Sequence, residues 1–187
     1  MGSLGLGTCS PSSSDRNARS TASGSRAIAA RYANHPAIIG YQVDNEPGPF
    51  LLHNQRVFDG FLRWLEGRYG DVETLNREWG LTFWSQRIRS WDELWRPDGN
   101  HSPQYQLEWR RYQTELVNDF IAWQAGIVRE YANPRQFVTT CIAYESAAID
   151  DQQLVQALDV TAGNPVRPPQ DLAPSKAEAG SPLRPAG

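Results

Sequence analysis

An α/β fold built on parallel strands is predicted by three observations. Residues 37–43, from Ala37 to Val43, form an apolar, β-branched run without the alternation of a half-exposed strand, the pattern of a strand covered on both faces. Two further runs of this kind, Phe137 to Ile142 and about Leu158 to Ala162, follow much later. Helical patterns separate all three, and strand, helix, strand, helix, strand is the order of parallel βα units.

The chain has 187 residues, a formal net charge of -3 and 40% hydrophobic residues, enough for one globular unit with a core. No basic stripe points to a nucleic-acid partner, and no apolar run approaches the roughly 18 residues of a membrane span. A soluble, cytoplasmic protein is therefore the default expectation. Cys9 and Cys141 lie far apart and suggest neither a disulfide framework nor a zinc site. His35, His53 and His101 are equally scattered, as surface or loop residues rather than ligands. No metal and no cofactor is expected.

Residues 1–25 are Ser- and Gly-rich and lack aromatics, which predicts a disordered leader. Leu4-Gly5-Leu6 is too short for the apolar core of a secretory signal. From Arg26 to Ala33 the chain reads as the last part of an Ala-rich helix, ended by Asn34 and Pro36. The first strand follows and stops at Pro47 and Gly48. Ligands of parallel sheets meet the carboxyl ends of the strands, so Asp44, Asn45 and Glu46 mark the expected site. Two readings of these carboxylates stay open. They cap a turn, or Glu46 is a general acid, since a carboxyl partly desolvated by aromatic walls has its pKa raised and can protonate a leaving oxygen. The Asn45 amide beside it has donors and an acceptor for a hydroxyl.

The spacing of Phe58, Phe61, Leu62, Leu65 and Tyr69 predicts a helix from about Asn54 to Tyr69, stopped by Gly70. Asp71 is a natural cap for a short helix that buries Val72, Leu75 and Trp79 and ends at Gly80. The loop from Leu81 to Trp91 is unusually aromatic; its tryptophans either plug it onto the scaffold, which composition favours, or offer a platform for a sugar ring. Ser102 and Pro103 start a long helix to about Tyr131, in which Tyr105, Trp109, Tyr112, Leu116, Phe120, Trp123, Ile127 and Tyr131 form one apolar stripe. A short helix from about Asp151 to Ala157 precedes the third strand. About ninety residues separate the first two strands, where a βα unit needs about thirty. The excess belongs on the carboxyl face, with the segment from Trp84 to Trp95 expected over the tip of the first strand.

With these residues assembled, the chain resembles glycoside hydrolase family 42, the β-galactosidases of bacteria. The resemblance is carried by the run from Arg31 to Glu46, by Arg68-Tyr69-Gly70, Leu75-Asn76-Arg77-Glu78-Trp79-Gly80 and Phe83-Trp84-Ser85-Gln86-Arg87. It continues through Trp91-Asp92-Glu93, Glu108-Trp109-Arg110-Arg111-Tyr112, Val138-Thr139-Thr140 and the run from Leu158 to Pro165. It implies a catalytic (β/α)8 barrel, of which residues 26–165 supply about strands four to six with a long helical insertion, flanked by a disordered leader and a disordered Pro- and Ala-rich tail at 166–187. It also implies a retaining β-galactosidase with Glu46 as acid/base, Asn45 and Trp84 as substrate-binding residues, a galactoside as substrate and a homotrimer as the intact assembly.

The nucleophile of that family is a Glu at the end of the seventh strand, and this chain is expected to lack it. A complete barrel needs about 250 residues. Glu145, just past the second strand, is the other carboxylate on the carboxyl face, though not at the nucleophile's position. The chain is thus read as a fragment of a β-galactosidase, inactive as given. The alternatives are a non-catalytic interaction or sugar-binding remnant and a barrel glycosidase of another specificity.

Overall fold

Three parallel strands pair in the order β1-β2-β3 in the computed structural model, which describes residues 13–48, 50–97, 102–143, 146 and 148–164. The elements are α1 (Ser13–Tyr32), β1 (Gly40–Asn45), α2 (Gln55–Tyr69), α3 (Val72–Glu78), α4 (Pro103–Arg129), β2 (Phe137–Ala143), α5 (Asp151–Ala157) and β3 (Val160–Asn164). Two 3-10 turns, Phe83–Ser85 and Trp91–Glu93, lie in the loop between α3 and α4. Among the described residues no helix is long and apolar enough to cross a membrane.

Asp71 caps α3 as the sequence predicts, and three further side chains cap α2, α4 and α5. The Asn54 side chain accepts the Val57 amide, Asp71 that of Thr74, Ser102 that of Tyr105 and Asp150 those of Gln152 and Gln153. Each satisfies an amide that the first helical turn leaves without an internal partner.

Several bounds move. Helix α1 starts at Ser13, not near Arg26, so residues 13–25, expected in the disordered leader, are helical. Ala22 and Ala29, seven residues apart on one face, are buried there, and α1 packs on α4; small side chains let the two helices approach closely. The expectations for residues 1–12 and 166–187 lie outside the described residues. Strand β1 starts at Gly40, with Ile39 71% exposed before it, and only Val43 of β1 is buried. It is an edge strand among the described residues, whereas the central strand β2 is buried from Val138 to Cys141. Strand β3 begins two residues later than expected, at Val160.

Helix α4 carries the main correction. Its N-terminal half buries Tyr105, Trp109 and Tyr112 against Phe58, Phe61 and Leu65 of α2, Leu75 of α3, and Leu81, Ile88 and Leu94 of the following loop. Its C-terminal half instead buries Ile121, Ala125 and Val128, against Val43 of β1, Val138 of β2, Ala29 of α1 and Leu154 of α5. At 3.6 residues per turn these faces differ by roughly 160° around the axis. The single stripe therefore fails past Tyr112: Leu116, Phe120, Trp123 and Tyr131 are partly exposed, and of the predicted stripe there Ile127 alone is buried. Smaller residues face the sheet because a helix laid on a sheet must come close to it.

The first of these cores is aromatic. Phe61 is fully buried with Trp64, Tyr105, Trp109 and Tyr112 at centroid distances of 6.0, 5.6, 4.9 and 5.6 Å, each such pair worth about 0.5–1.5 kcal/mol beyond its burial. Gly60 is needed beside it, since a Cβ there would stand 2.0 Å from the Tyr112 hydroxyl oxygen. Trp91 and Trp95 pack against this core and Trp95 stacks on Tyr105 at 5.7 Å, so these two tryptophans plug the loop.

Buried amides hold the loops. Asn76 donates to the Ile88 carbonyl at 2.7 Å and accepts its amide at 3.0 Å; Gln113 does the same for Leu52, at 2.6 and 2.9 Å. Replacing Asn76 by Leu leaves both backbone groups of Ile88 unpaired in the interior, at about 1–3 kcal/mol each. Asn76→Leu should lower the free energy of unfolding in urea by about 2 kcal/mol or more; an unchanged midpoint would show that water replaces the clamp.

Asp159 joins α4, β2 and the start of β3, accepting the Val138 amide at 2.7 Å and Arg129 at 3.0 Å. The Val138 hydrogen bond first, and Arg129 after it, hold its carboxyl below the ordinary value of 3.8. A carboxylate depressed in the folded state stabilises above its unfolded pKa, and that contribution is lost as pH falls through the lower folded value. Asp159→Asn should therefore lower the melting temperature at pH 7, with the gap to the natural chain closing below about pH 4; a gap independent of pH would refute the assignment.

Candidate active site

The carboxyl end of β1 is not a regular strand. Gln42 pairs with Thr139 and Asn45 with Cys141, so two residues of β1, Val43 and Asp44, stand opposite the single residue Thr140 of β2. This is a β-bulge, and its effect follows from the two-residue period of side chains. Val43 points into the core under α4. In a regular strand Asn45 would point the same way; the inserted residue turns it to the opposite side, beside Gln42 and across from Cys141. The Gln42 side chain donates to the Asn45 side-chain oxygen at 3.2 Å and to the Asp44 carbonyl at 3.0 Å.

The bulge is held in an uncommon backbone conformation. Asp44 has φ 57° and Glu46 φ 48°, and Gly48 follows at 66°. Asp tolerates the left-handed region because its short side chain can bond locally, and the Asp44 Oδ1 accepts the Asn45 amide at 2.7 Å. Its Oδ2 accepts from Gln124 Nε2 of α4 at 3.2 Å. Glu46 donates its amide to the Cys141 carbonyl at 2.8 Å, which ties the residue after β1 to β2. The Ser146 hydroxyl donates toward the carbonyls of Pro47 and Gly48 at 3.0 and 2.9 Å, joining the two loops beyond the strands. Gly48 fits closely there: a Cβ would meet the Ala148 carbonyl at 3.0 Å and Val117 at 3.2 Å.

Asp44 and Asn45 are exposed and Glu46 is half-buried. An exposed primary amide and a half-buried carboxyl thus stand side by side at a parallel strand's carboxyl end. The pair can hold a hydroxyl and exchange a proton with an oxygen of a bound molecule.

The sequence-predicted residues Asp44, Asn45 and Glu46 are brought together. Trp84 is the middle residue of the Phe83–Ser85 turn, and its side chain lies outside those described; Glu145 lies outside the described residues altogether. Sequence reasoning missed Gln42, Gln124 and Ser146. Gln124 alone left a signal, a polar side chain between Ile121 and Ala125 on the face of α4 that lies on the sheet. Among the described residues no group of three or more His, Cys, Asp or Glu could hold a metal ion. A cavity of about 640 Å³ lies between α2, α4 and the start of α5, and none of Asp44, Asn45 and Glu46 lines it.

The model of glycoside hydrolase family 42, described as beta-galactosidase, matches residues 9–167. A beta-galactosidase of Thermus thermophilus is 36% identical over 138 residues, covering 71% of this chain and 21% of the relative. Beta-galactosidase Bga of Halorubrum lacusprofundi is also 36% identical, over 118 residues, covering 60% and 17%. The solved structure of a Halorubrum lacusprofundi beta-galactosidase superimposes with a TM-score of 0.71 at 31% identity, over 82% of this chain and 23% of that one. That of a beta-galactosidase from the psychrophilic Marinomonas ef1 gives 0.71 at 26% identity, over 84% and 26%. The chain spans about a fifth of the length of the curated relatives it matches.

Proposed function

The chain belongs to glycoside hydrolase family 42, the β-galactosidases, and from that premise we propose that it carries the proton-donor half of a retaining β-galactosidase site, on strands four to six of a (β/α)8 barrel. The observation that supports this most is the bulged end of β1, which sets a half-buried Glu46 next to an exposed Asn45 at the carboxyl face of a parallel sheet. In this reading Glu46 gives its proton to the glycosidic oxygen as the bond to the anomeric carbon breaks. It then takes a proton from the water that completes hydrolysis. The Asn45 amide holds sugar hydroxyls, and the Trp84 indole walls the pocket by stacking on the apolar face of the ring.

Retention needs a second carboxylate about 5–5.5 Å from the first, to capture the anomeric carbon. That nucleophile is proposed to come from a strand outside these 187 residues, with a β-galactoside as substrate and a homotrimer as the assembly of the intact protein. Proton donation alone is worth about 10² to 10⁴ in rate, so the chain by itself should not turn over nitrophenyl β-galactoside.

The test grafts residues 26–164 in place of the matching segment of the Thermus thermophilus relative. In an active graft, Glu46→Gln should slow substrates with poor leaving groups about 10² to 10⁴-fold and activated aryl galactosides much less. Equal losses on both would sink the acid/base assignment. Trp84→Ala in the same graft should raise the dissociation constant for galactose about tenfold, a loss of about 1.4 kcal/mol, with little change in melting temperature; a large fall in melting temperature would make Trp84 a loop plug instead.

A further inference from the structure

We infer that Gln124 of α4 is a positioning residue for the Asn45 and Glu46 pair and acts through Asp44, an inference that rests on the reading of Glu46 as proton donor. Residues with positive φ stand on both sides of Asn45. Non-glycine residues keep that conformation only where their surroundings hold them in it. If Asp44 relaxed to ordinary extended backbone, the bulge would be lost and Asn45 would turn toward the helix side, carrying Glu46 with it.

The restraints divide by origin. Three are local to β1: the Asp44 carboxylate on the Asn45 amide at 2.7 Å, and the Gln42 side chain on the Asp44 carbonyl at 3.0 Å and on the Asn45 side-chain oxygen at 3.2 Å. One comes from the neighbouring strand, the Cys141 carbonyl on the Glu46 amide. The Gln124 amide reaches the bulge from a further element, α4, with Nε2 3.2 Å from Asp44 Oδ2.

Gln124 is only 5% exposed and is flanked on its helix by Ile121 and Ala125, both fully buried. An amide at such a place is costly unless paired, and an apolar side chain would pack there more simply. Asp44 is the partner that makes Gln124 tenable; Gln124 fixes which way the Asp44 carboxylate points. The same carboxylate holds the Asn45 amide with its other oxygen, so orienting it orients the backbone that presents Asn45 and Glu46. A neutral donor does this without bringing a positive charge to the strand end.

The experiment measures amide hydrogen exchange in the 187-residue chain. Gln124→Met keeps length and packing but removes the donor; protection of the Asn45 and Glu46 amides should fall about tenfold or more, while the β2-β3 ladder keeps its protection. Gln124→Glu supplies the conservative rescue. At about pH 5 its buried carboxyl is protonated and can donate to Asp44, whereas at about pH 8 it is ionised and repels Asp44. Protection at Asn45 and Glu46, corrected for intrinsic exchange, should be near that of the natural chain at the lower pH and be lost at the higher one. Should Gln124→Met fail to fold, the two pH arms of Gln124→Glu still decide. Undiminished protection in Gln124→Met, or equal loss throughout the sheet at both pH values in Gln124→Glu, would overturn the inference. The Glu46→Gln result in the graft tests the underlying reading separately, because it does not depend on what exchange shows for Gln124.

Discussion

One helix has to satisfy two cores that lie on almost opposite sides of it. Among the described residues α4 is the element common to both clusters, giving Tyr105, Trp109 and Tyr112 to one and Ile121, Ala125 and Val128 to the other. Its 27 residues are longer than the strands it covers, and the surplus at its N-terminal end is what α2, α3 and the aromatic loop are built on. The sheet end of the same helix carries Gln124 to the bulge. The placement of the insertion and the shape of the candidate site thus depend on the rotational setting of a single helix.

How much of this the sequence showed depends on the range of the interaction. Cap residues act within one turn, and the Asp71 cap and the helix start at Ser102 and Pro103 were legible for that reason. The Asp44, Asn45 and Glu46 tip was legible because an apolar run ending in polar residues is itself a local pattern. The rotated face of α4 was not, because Leu116, Phe120 and Trp123 continue the aromatic spacing of Tyr105 and Trp109. Only the position of the sheet decides that Ile121 and Ala125 are inside instead. The bulge is hidden in the same way: it is defined by the pairing of Asn45 with Cys141, and one strand's sequence holds no record of its register. Helix α1 was underestimated because Ser and Gly before Arg26 have weak helix propensity, which contact with α4 overrides.

Buried amides recur at four of the places where a loop meets a helix or strand. Asn76 fixes Ile88, Gln113 fixes Leu52, Asn118 donates to the Asp150 carbonyl at 3.1 Å, and Gln136 donates to the carbonyls of Tyr32 and Ile38 at 3.2 and 3.0 Å. Loop turns pair only part of their own backbone groups, so the rest must be met from elsewhere once they are covered. An amide suits this task because it offers a donor and an acceptor without charge. Gln124 belongs to the same set but differs in its target, a side-chain carboxylate at the strand end.

The division of α4 between two cores also bears on the order in which the chain can assemble. Strands β1 and β2 pair directly although about ninety residues separate them, and closing so long a loop carries an entropic cost before any strand contact repays it. The aromatic core draws its buried residues from the contiguous stretch Phe58 to Tyr112. The contacts among them all fall within that stretch and need no strand to be in place. Once that stretch has condensed on the first half of α4, the free path between the strands shrinks to little more than the second half of the helix and its flanking turns. The insertion acts as a spacer that folds itself up, and a parallel sheet with a distant crossover is left to close a loop nearer in length to that of an ordinary βα unit.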